Sequence, residues 1–158
     1  MSVLPKYRTL TTEELHSLEK EFIDFLIVNG IMADDWEKMK DENSVGADDI
    51  ITLFSDVILE GILRKTMFLE FKERTSIKAF QCLNEKIVLV GLDGNDSLDL
   101  MKNEDLKNAM INPPRGFKIY STEKPYHTTR EKELFNMIQS GCVISDGEIF
   151  KTLSLAMV

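Results

Sequence analysis

The chain has 158 residues, 43% hydrophobic and 29% charged, which is ordinary for one folded, water-soluble domain. We find neither a run of roughly 18 apolar residues that could span a membrane nor the basic-then-apolar order of a signal peptide, so we expect a cytoplasmic protein. The net charge of −8 repels phosphate backbones and argues against a general nucleic-acid binder.

The net negative charge comes entirely from the first part of the chain. Residues 1–64 contain six Lys/Arg and fourteen Asp/Glu, whereas residues 65–158 contain thirteen of each. Two interpretations follow. The acidic surface is either a solvated helical face that promotes solubility, or a docking surface for a basic partner.

After a short extended lead-in, residues 11–30 carry the strongest helix pattern. Thr11 and Glu14 have the spacing of a capping box, and Gly30 supplies the left-handed residue that closes a helix. The apolar residues of this segment share one side at helical spacing. They are Leu15, Leu18, Phe22, Phe25 and Leu26. This stripe requires a hydrophobic partner elsewhere in the chain.

Two further helices are predicted before residue 66. Asp34 is placed to cap a short helix that reaches about Asn43, and a long apolar helix begins at Asp48 or Asp49. The lone Trp36 fits either a binding site or an indole packed beneath the short helix, and the packed indole is the commoner use.

Asp56 and Glu60 lie one helical turn apart in the long helix, the spacing of carboxylates that bind a divalent cation or share a proton. Arg64 follows after the same step and completes a ladder of opposite charges. No Glu-x-x-His sequence accompanies the two acids. We therefore predict ion pairing rather than a metal or a catalytic site here.

The period changes from helical to strand-like after Thr66. Residues 67–72, 77–83 and 86–92 read as strands, and the last is apolar almost throughout, as expected for a central strand. Short polar breaks between them favour hairpins and an antiparallel sheet. Leu98 and Leu100 are predicted to supply a fourth strand.

The turn after residue 92 has the closest approach to a metal motif. Asp93, Asn95, Ser97, Asp99 and Glu104 occupy spacings used by calcium ligands. Leu98 stands where the calcium loop needs glycine, and the preceding segment is a strand. A plain turn is the preferred interpretation.

The last third alternates strands and helices. A helix from Asn103 through Met110, a strand over residues 117–120 and a short strand over 142–144 are predicted. Thr128 with Glu131, and Ser145 with Glu148, have capping-box spacing and predict the starts of two more helices. Cys82 and Cys142 lie in apolar runs, which favours two buried thiols over a disulfide.

The best candidate for chemistry lies between residues 115 and 132, where basic and hydrogen-bonding side chains concentrate before a helix N-terminus. They are Arg115, Lys124, Tyr126, His127 and Arg130. Such cations beside free helix amides could bind phosphate, sulfate or carboxylate, and the histidine could titrate near neutral pH. Nearby glutamates could neutralise the same cations, so a solvated loop is the alternative.

Other chemical signatures are absent from the sequence. We find no phosphate-binding loop, dinucleotide-binding glycine pattern, nucleophile elbow or zinc spacing. We therefore predict no catalytic residue, no metal site and no cofactor.

Several stretches resemble an uncharacterised family of short bacterial proteins, a domain of unknown function. They are KYRTLTTEELHSLEKEFIDFLIVNGI, ADDWEKMK, LFSDVILEGILRK and KPYHTTREKELFNMIQSGCVISDGEIF. The resemblance spans most of the chain and rests on helix starts and packed faces. It implies a bacterial cytoplasmic setting and assigns no active-site residue.

These observations predict one α+β domain over residues 1–158. An acidic helical layer, about 11–64, is expected to pack on a mainly antiparallel sheet within residues 65–158, with additional C-terminal helices. The leading hypothesis is a non-enzymatic protein-interaction module that binds a protein partner or forms a homo-oligomer, without nucleic acid or membrane. The alternative is a small anion-binding protein or enzyme that uses the Lys124, His127 and Arg130 region.

Overall fold

A computed structural model describes residues 2–157 of the chain. Their contacts divide the chain into two compact units, Met1–Ile62 and Leu63–Val158. Between residues 2 and 157 the chain forms seven helices and a five-stranded antiparallel sheet, which confirms the predicted α+β class. The boundary falls close to the predicted division at residue 64, while the single-domain organisation stays a prediction.

The first unit is helical. Its elements are α1 (Thr12–Ser17), α2 (Glu19–Val28), α3 (Ala33–Glu42) and most of α4 (Ser44–Lys65). The predicted capping box is confirmed, because the Thr11 hydroxyl accepts from the Glu14 amide at 3.1 Å and the Glu14 carboxylate accepts from the Thr11 amide at 2.9 Å. Gly30 ends the segment at a φ of +75°.

The single helix predicted over residues 11–30 is wrong at its centre. Leu18 leaves the helical region with φ −108° and ψ 25°, so that α1 ends before it and α2 begins after it. Periodicity continues through Leu18 and gives no sign of this break. Two other helix starts differ from the prediction. The helix α4 begins at Ser44 rather than at Asp48 or Asp49. At the start of α3, the carboxylate that accepts a hydrogen bond from the Met32 amide is that of Asp35, not Asp34.

The apolar stripe of α2 does pack on aromatic groups of its own unit. The Phe54 ring on α4 lies 5.0 Å from that of Phe22 and 5.4 Å from that of Phe25, centroid to centroid. Phe54 and Leu26 are both buried. This cluster anchors α2 on α4 and leaves the next side of α2 free to face α3.

The carboxylates of α4 hold the N-terminal lead-in. Asp56 accepts a hydrogen bond from the Lys6 amide at 2.9 Å, and Glu60 accepts from the Lys6 ammonium at 3.1 Å and from the Tyr7 hydroxyl. The Leu10 amide donates to the Ser55 hydroxyl. The two acids therefore serve to fix an extended segment along the helix, a partner that the sequence did not identify.

The second unit contains the sheet. Its strands are β1 (Phe68–Glu73), β2 (Ser76–Cys82), β3 (Lys86–Asp93), β4 (Lys118–Pro125) and β5 (Val143–Ile144), in the order β4-β3-β2-β1-β5 with antiparallel pairing throughout. The apolar β3 is an interior strand that pairs with β2 on one side and β4 on the other, as its composition predicted.

One face of this sheet is covered by two of its helices. α5 (Asn103–Ile111) and α7 (Glu148–Ala156) contribute buried side chains to a cluster with β2 and β3, and α6 (Arg130–Gln139) follows β4. The cluster members are Ile77, Val90, Leu92, Leu100, Leu106, Ala109 and Leu153. On the opposite face Leu69, Cys82 and Ile87 are also buried, so both faces of the sheet contain buried side chains.

Three local predictions in the second unit are wrong. Leu98 and Leu100 lie in a turn rather than a strand, and Leu100 instead enters the core below α5. The cap of α6 is Thr129, whose hydroxyl accepts from the Lys132 amide at 3.4 Å, not Thr128. α7 follows Gly147, which adopts a φ of +87°, so the Ser145 capping box does not form.

Candidate functional site

The five side chains predicted to bind an anion do not form one cluster. Arg115 is exposed and precedes β4, whereas Lys124 is exposed near the end of that strand. Arg115 lies in a turn before β4, and the strand from Lys118 to Lys124 then covers roughly 20 Å at the rise of a β-strand. Only the residues that follow β4 are brought together.

Arg130 is largely buried, with a side chain 9% exposed. Its guanidinium donates to the carbonyl oxygens of Leu63 at 2.9 Å, Cys82 at 3.1 Å and Leu83 at 3.2 Å, and also to that of Thr66. These carbonyls come from two separate stretches of the second unit. Arg130 therefore ties the start of the unit to the β2–β3 connection.

Tyr126 joins Arg130 at the same carbonyl. The Tyr126 hydroxyl donates to the Leu83 oxygen at 2.7 Å, and burial raises the pKa of this phenol to about 12. His127 is exposed, and its backbone amide donates to the Glu133 carboxylate at 2.7 Å. The structure thus gives Tyr126 and Arg130 protein partners, and it places a carboxylate beside His127.

An anion at this position would have to compete with those partners. A guanidinium has five N–H groups, and four backbone carbonyls already accept from Arg130. Glu131 lies 3.5 Å from the same guanidinium and offers a further acceptor. Arg130 consequently acts here as a structural clamp, and the anion site stays a prediction that depends on Lys124 and His127.

A different feature, in the first unit, has the form of a binding site. It is an apolar groove of about 470 Å³ between α2 and α3. One wall is a face of α2, formed by four apolar residues with the i, i+1, i+4 and i+5 spacing of neighbours on a helix surface. Its members are Phe22, Ile23, Leu26 and Ile27.

The other wall comes from the α2–α3 connection and the facing side of α3. It consists of Ile31, Met32, Ala33 and Trp36. Ile23, Ile27 and Met32 are 46%, 53% and 58% exposed, so large apolar side chains line an open groove rather than a sealed core. We name these eight side chains, with the polar Glu19, Glu37 and Lys40 at the rim, the α2–α3 groove.

The floor of the α2–α3 groove is aromatic. The Trp36 ring meets Phe22 edge to face at 5.2 Å, and Phe22 in turn contacts Phe54 at 5.0 Å. Trp36 is half-buried, which satisfies the predicted packed indole and also leaves part of the ring in the groove. Rings fixed by other rings offer a preformed apolar surface at little entropic cost.

The two helices that form the groove are acidic, although only Glu19 and Glu37 of their carboxylates line it. α2 and α3 together carry eight Asp/Glu and three Lys. Two of these lysines pair with carboxylates of their own helices, Lys20 with Asp24 at 3.8 Å and Lys40 with Glu37 at 3.0 Å. The field over the groove is therefore negative, and cationic groups are the ones it attracts.

The sequence contained a signal for this groove that the stripe analysis missed. The stripe used Phe22, Phe25 and Leu26 but assigned no partner to Ile23 and Ile27, which widen the apolar arc of α2 beyond one contact face. An apolar surface of this width on one helix can contact two neighbouring elements. α4 takes one side through Phe54, and the groove takes the other.

The two thiols are poorly suited to nucleophilic chemistry. Both cysteines are free, and burial raises the pKa of Cys82 to about 12 and also raises that of Cys142. Within residues 2–157, no group of three or more His, Cys, Asp or Glu side chains is placed to hold a metal ion. No helix in the same range has the length and apolar character needed to cross a membrane.

Comparison with known proteins gives a family. Residues 1–158 match a family of unknown function, DUF6495, over the whole sequence. The chain belongs to this family. The resemblance to an uncharacterised family is thereby confirmed, while the bacterial setting that it implied for this DUF6495 member stays a prediction. Neither a curated protein nor a solved structure matches the chain.

Proposed function

We propose that this chain is a non-enzymatic interaction module that binds a protein partner through its first unit. The observation that carries the proposal is the α2–α3 groove, where large apolar side chains lie exposed beside a polar rim of Glu19, Glu37 and Lys40. Exposed apolar patches rimmed by polar residues are typical of protein-binding surfaces. The acidic surface is then the polar rim of this interface rather than only a solubilising face.

The composition of the groove supports a protein partner. Tryptophan, phenylalanine and methionine are enriched at the centres of protein interfaces, and polar groups form the rim. Trp36, Phe22 and Met32 lie inside the α2–α3 groove, while Glu19 and Glu37 stand at its edge. This arrangement of an aromatic centre and a charged rim gives both affinity and selectivity.

Affinity capture from the native host tests the proposal. The bait is the full chain, compared with Ile27→Asp, which puts a charge into the groove, and with Ile111→Asp, which makes the same change at a residue of α5 that is 74% exposed. We expect one or more proteins to be retained by the wild type and by Ile111→Asp but lost from Ile27→Asp. Equal recovery of all proteins on the three baits would contradict a binding role for the groove.

The solution mass of the purified chain completes this test. A homo-oligomer that forms through the groove would dissociate in Ile27→Asp and persist in Ile111→Asp. Recovery of the wild type only as a monomer that retains no partner on the capture bait would contradict the proposal as a whole.

Anion binding is the weaker candidate. It would require Lys124 and His127 to act with Arg130, whose guanidinium is occupied by backbone carbonyls. A thermal-shift series with phosphate, sulfate and small carboxylates tests it, because a ligand that binds only the folded state raises the melting temperature. Stabilisation that disappears in Lys124→Met would support this second function.

A further inference from the structure

The α2–α3 groove has the dimensions of a helix-binding site. Each wall is a helix of ten residues, about 15 Å long at 1.5 Å per residue. An extended peptide would gain no backbone hydrogen bonds here, since the amides and carbonyls of the walls are used within α2 and α3. A helix needs none, because its own backbone is satisfied and it binds through side chains alone.

The apolar contacts available in the groove match one face of such a helix. Side chains at i, i+3 or i+4, and i+7 cover about 10 Å of helix length, which fits within the walls. Three exposed apolar side chains of the lining, Ile23, Ile27 and Met32, lie near Trp36 and the buried Leu26. An inserted Leu or Phe would contact both the rim and the aromatic floor.

The charge of the walls selects the sign of the partner. Eight carboxylates stand on α2 and α3 against three lysines, two of which are already paired within their own helices. Lysine or arginine beside the apolar face of a bound helix would lie near Glu19 and Glu37 at the rim and within the negative field of the two helices. An acidic helix would be repelled by them, because opposed potentials favour association and like potentials oppose it.

The same charges argue against other occupants. A second copy bound symmetrically would place the two acidic walls against each other, since a twofold interface uses the same patch on both subunits. A membrane surface with anionic lipids is disfavoured for the same electrostatic reason. The charge complementarity therefore commits the groove to a basic partner.

We propose that the α2–α3 groove binds a basic amphipathic helix of about three turns, with large apolar residues at i, i+3 or i+4 and i+7 and Lys or Arg on both flanks. This inference rests on the proposed interaction function and specifies the chemistry of the partner. The bound helix buries Ile23, Ile27 and Met32 and places its cations toward the carboxylates of α2 and α3.

Synthetic peptides test the proposal with the full chain. The probe is a helical peptide of leucines on one face and lysines elsewhere. One control keeps the lysines and replaces the leucines by alanine, and the other keeps the leucines and replaces the lysines by glutamate. Trp36 is the only tryptophan of the chain and lines the groove, so its emission reports occupancy directly.

We expect saturable binding and a blue shift of Trp36 emission with the leucine–lysine peptide only. Affinity should fall by about tenfold or more in Ile27→Asp, the loss expected for an interface position that contributes strongly, and remain unchanged in Ile111→Asp. Equal binding of the alanine–lysine peptide would show simple charge attraction and overturn the proposal. Equal binding of the leucine–glutamate peptide, or an unchanged Trp36 emission at saturation, would overturn it as well.

The result of the peptide-binding test can be distinguished from the result of the capture test of the proposed function. A partner captured from the host that depends on Ile27, together with no binding of the leucine–lysine peptide, leaves the interaction module intact and removes the basic helix. Binding of the peptide to wild type and to Ile27→Asp with the same affinity removes the groove as the site for the helix. If no protein captured from the host depends on Ile27 for its retention, both the interaction module and the basic helix are contradicted.

Discussion

Replacing Arg130 by methionine separates the structural role of this residue from the anion-binding role predicted from the sequence. Methionine keeps an unbranched apolar stem of similar reach and removes the guanidinium. Four backbone carbonyls, of Leu63, Thr66, Cys82 and Leu83, lose a charged donor in this variant. The side chain is 9% exposed, so water reaches these oxygens poorly while the unit stays folded.

The expected cost follows from the value of such hydrogen bonds. Each bond to a charged donor contributes about 1.5–3 kcal/mol, and a buried acceptor left without a donor is itself destabilising. The four bonds share one group and some water will enter, so their contributions do not add. We expect the free energy of unfolding to fall by about 3–5 kcal/mol, a large part of the roughly 5–15 kcal/mol typical of a domain.

Urea denaturation followed by far-ultraviolet circular dichroism measures this loss. Arg115→Met is the matched control, since Arg115 is an exposed arginine of the same unit and its loss should change stability by less than about 0.5 kcal/mol. A cost as small for Arg130→Met as for the control would refute the clamp. So would phosphate that stabilises the wild type strongly and the Arg130 variant not at all, because that result would make Arg130 an anion ligand.

Three further predictions concern local interactions. The Arg8 guanidinium and the Thr11 cap hold the pKa of Glu14 down at about 2. The stabilising contribution of the Glu14 carboxylate is therefore complete above about pH 4.3 and is lost as the pH falls toward 2. Glu14→Gln should lower the free energy of unfolding at neutral pH, and the difference between this variant and the wild type should shrink in acid titrations. Gly91→Ala should lower stability by about 1–3 kcal/mol, measured by urea denaturation, because a Cβ there would lie 2.2 Å from Cζ of Tyr120. The buried Cys82, with its pKa raised to about 12, should resist iodoacetamide in the native state and react once the chain is unfolded, as mass spectrometry of peptides would show.

The sequence predicted the elements whose signals are local. The capping box of Thr11 and Glu14, the positive φ of Gly30 and the three strands from Phe68 to Asp93 all follow from short patterns, and the structure confirms them. These patterns suffice because the interactions that define them lie within four residues or within one hairpin.

The failures share a different cause. Leu98 and Leu100 alternate like a strand, but the core below α5 takes Leu100 as a buried anchor within a turn. Leu18 has a favourable propensity and a continuous period, yet the helix breaks there. At Leu100 tertiary packing overrides the local preference, and at Leu18 the apolar period continues across the break, so a period alone contains neither piece of information.

The candidate sites show the same division. Arg130 was recognised as a concentrated cation, but its partners are backbone carbonyls, and a sequence does not display which carbonyls lack donors. The groove was visible only as an apolar arc on α2 that is too wide for one neighbour. The groove itself depends on where α3 lies relative to α2, which is a tertiary feature.

The exposed groove and the acidic surface have a common physical explanation. An open apolar surface that contains Ile23, Ile27 and Met32 would promote association between copies of the chain, and the carboxylates on the same two helices oppose it by repulsion. A cationic partner of the kind we propose would not be repelled, so one arrangement of charge would both discourage self-association and select that partner. A purely solubilising surface has no need of an aromatic floor fixed by Phe22 and Phe54. Phe22 and Trp36 lie on the same two helices as the carboxylates, so the proposed binding function would account for both features, whereas solubility accounts for the charges alone.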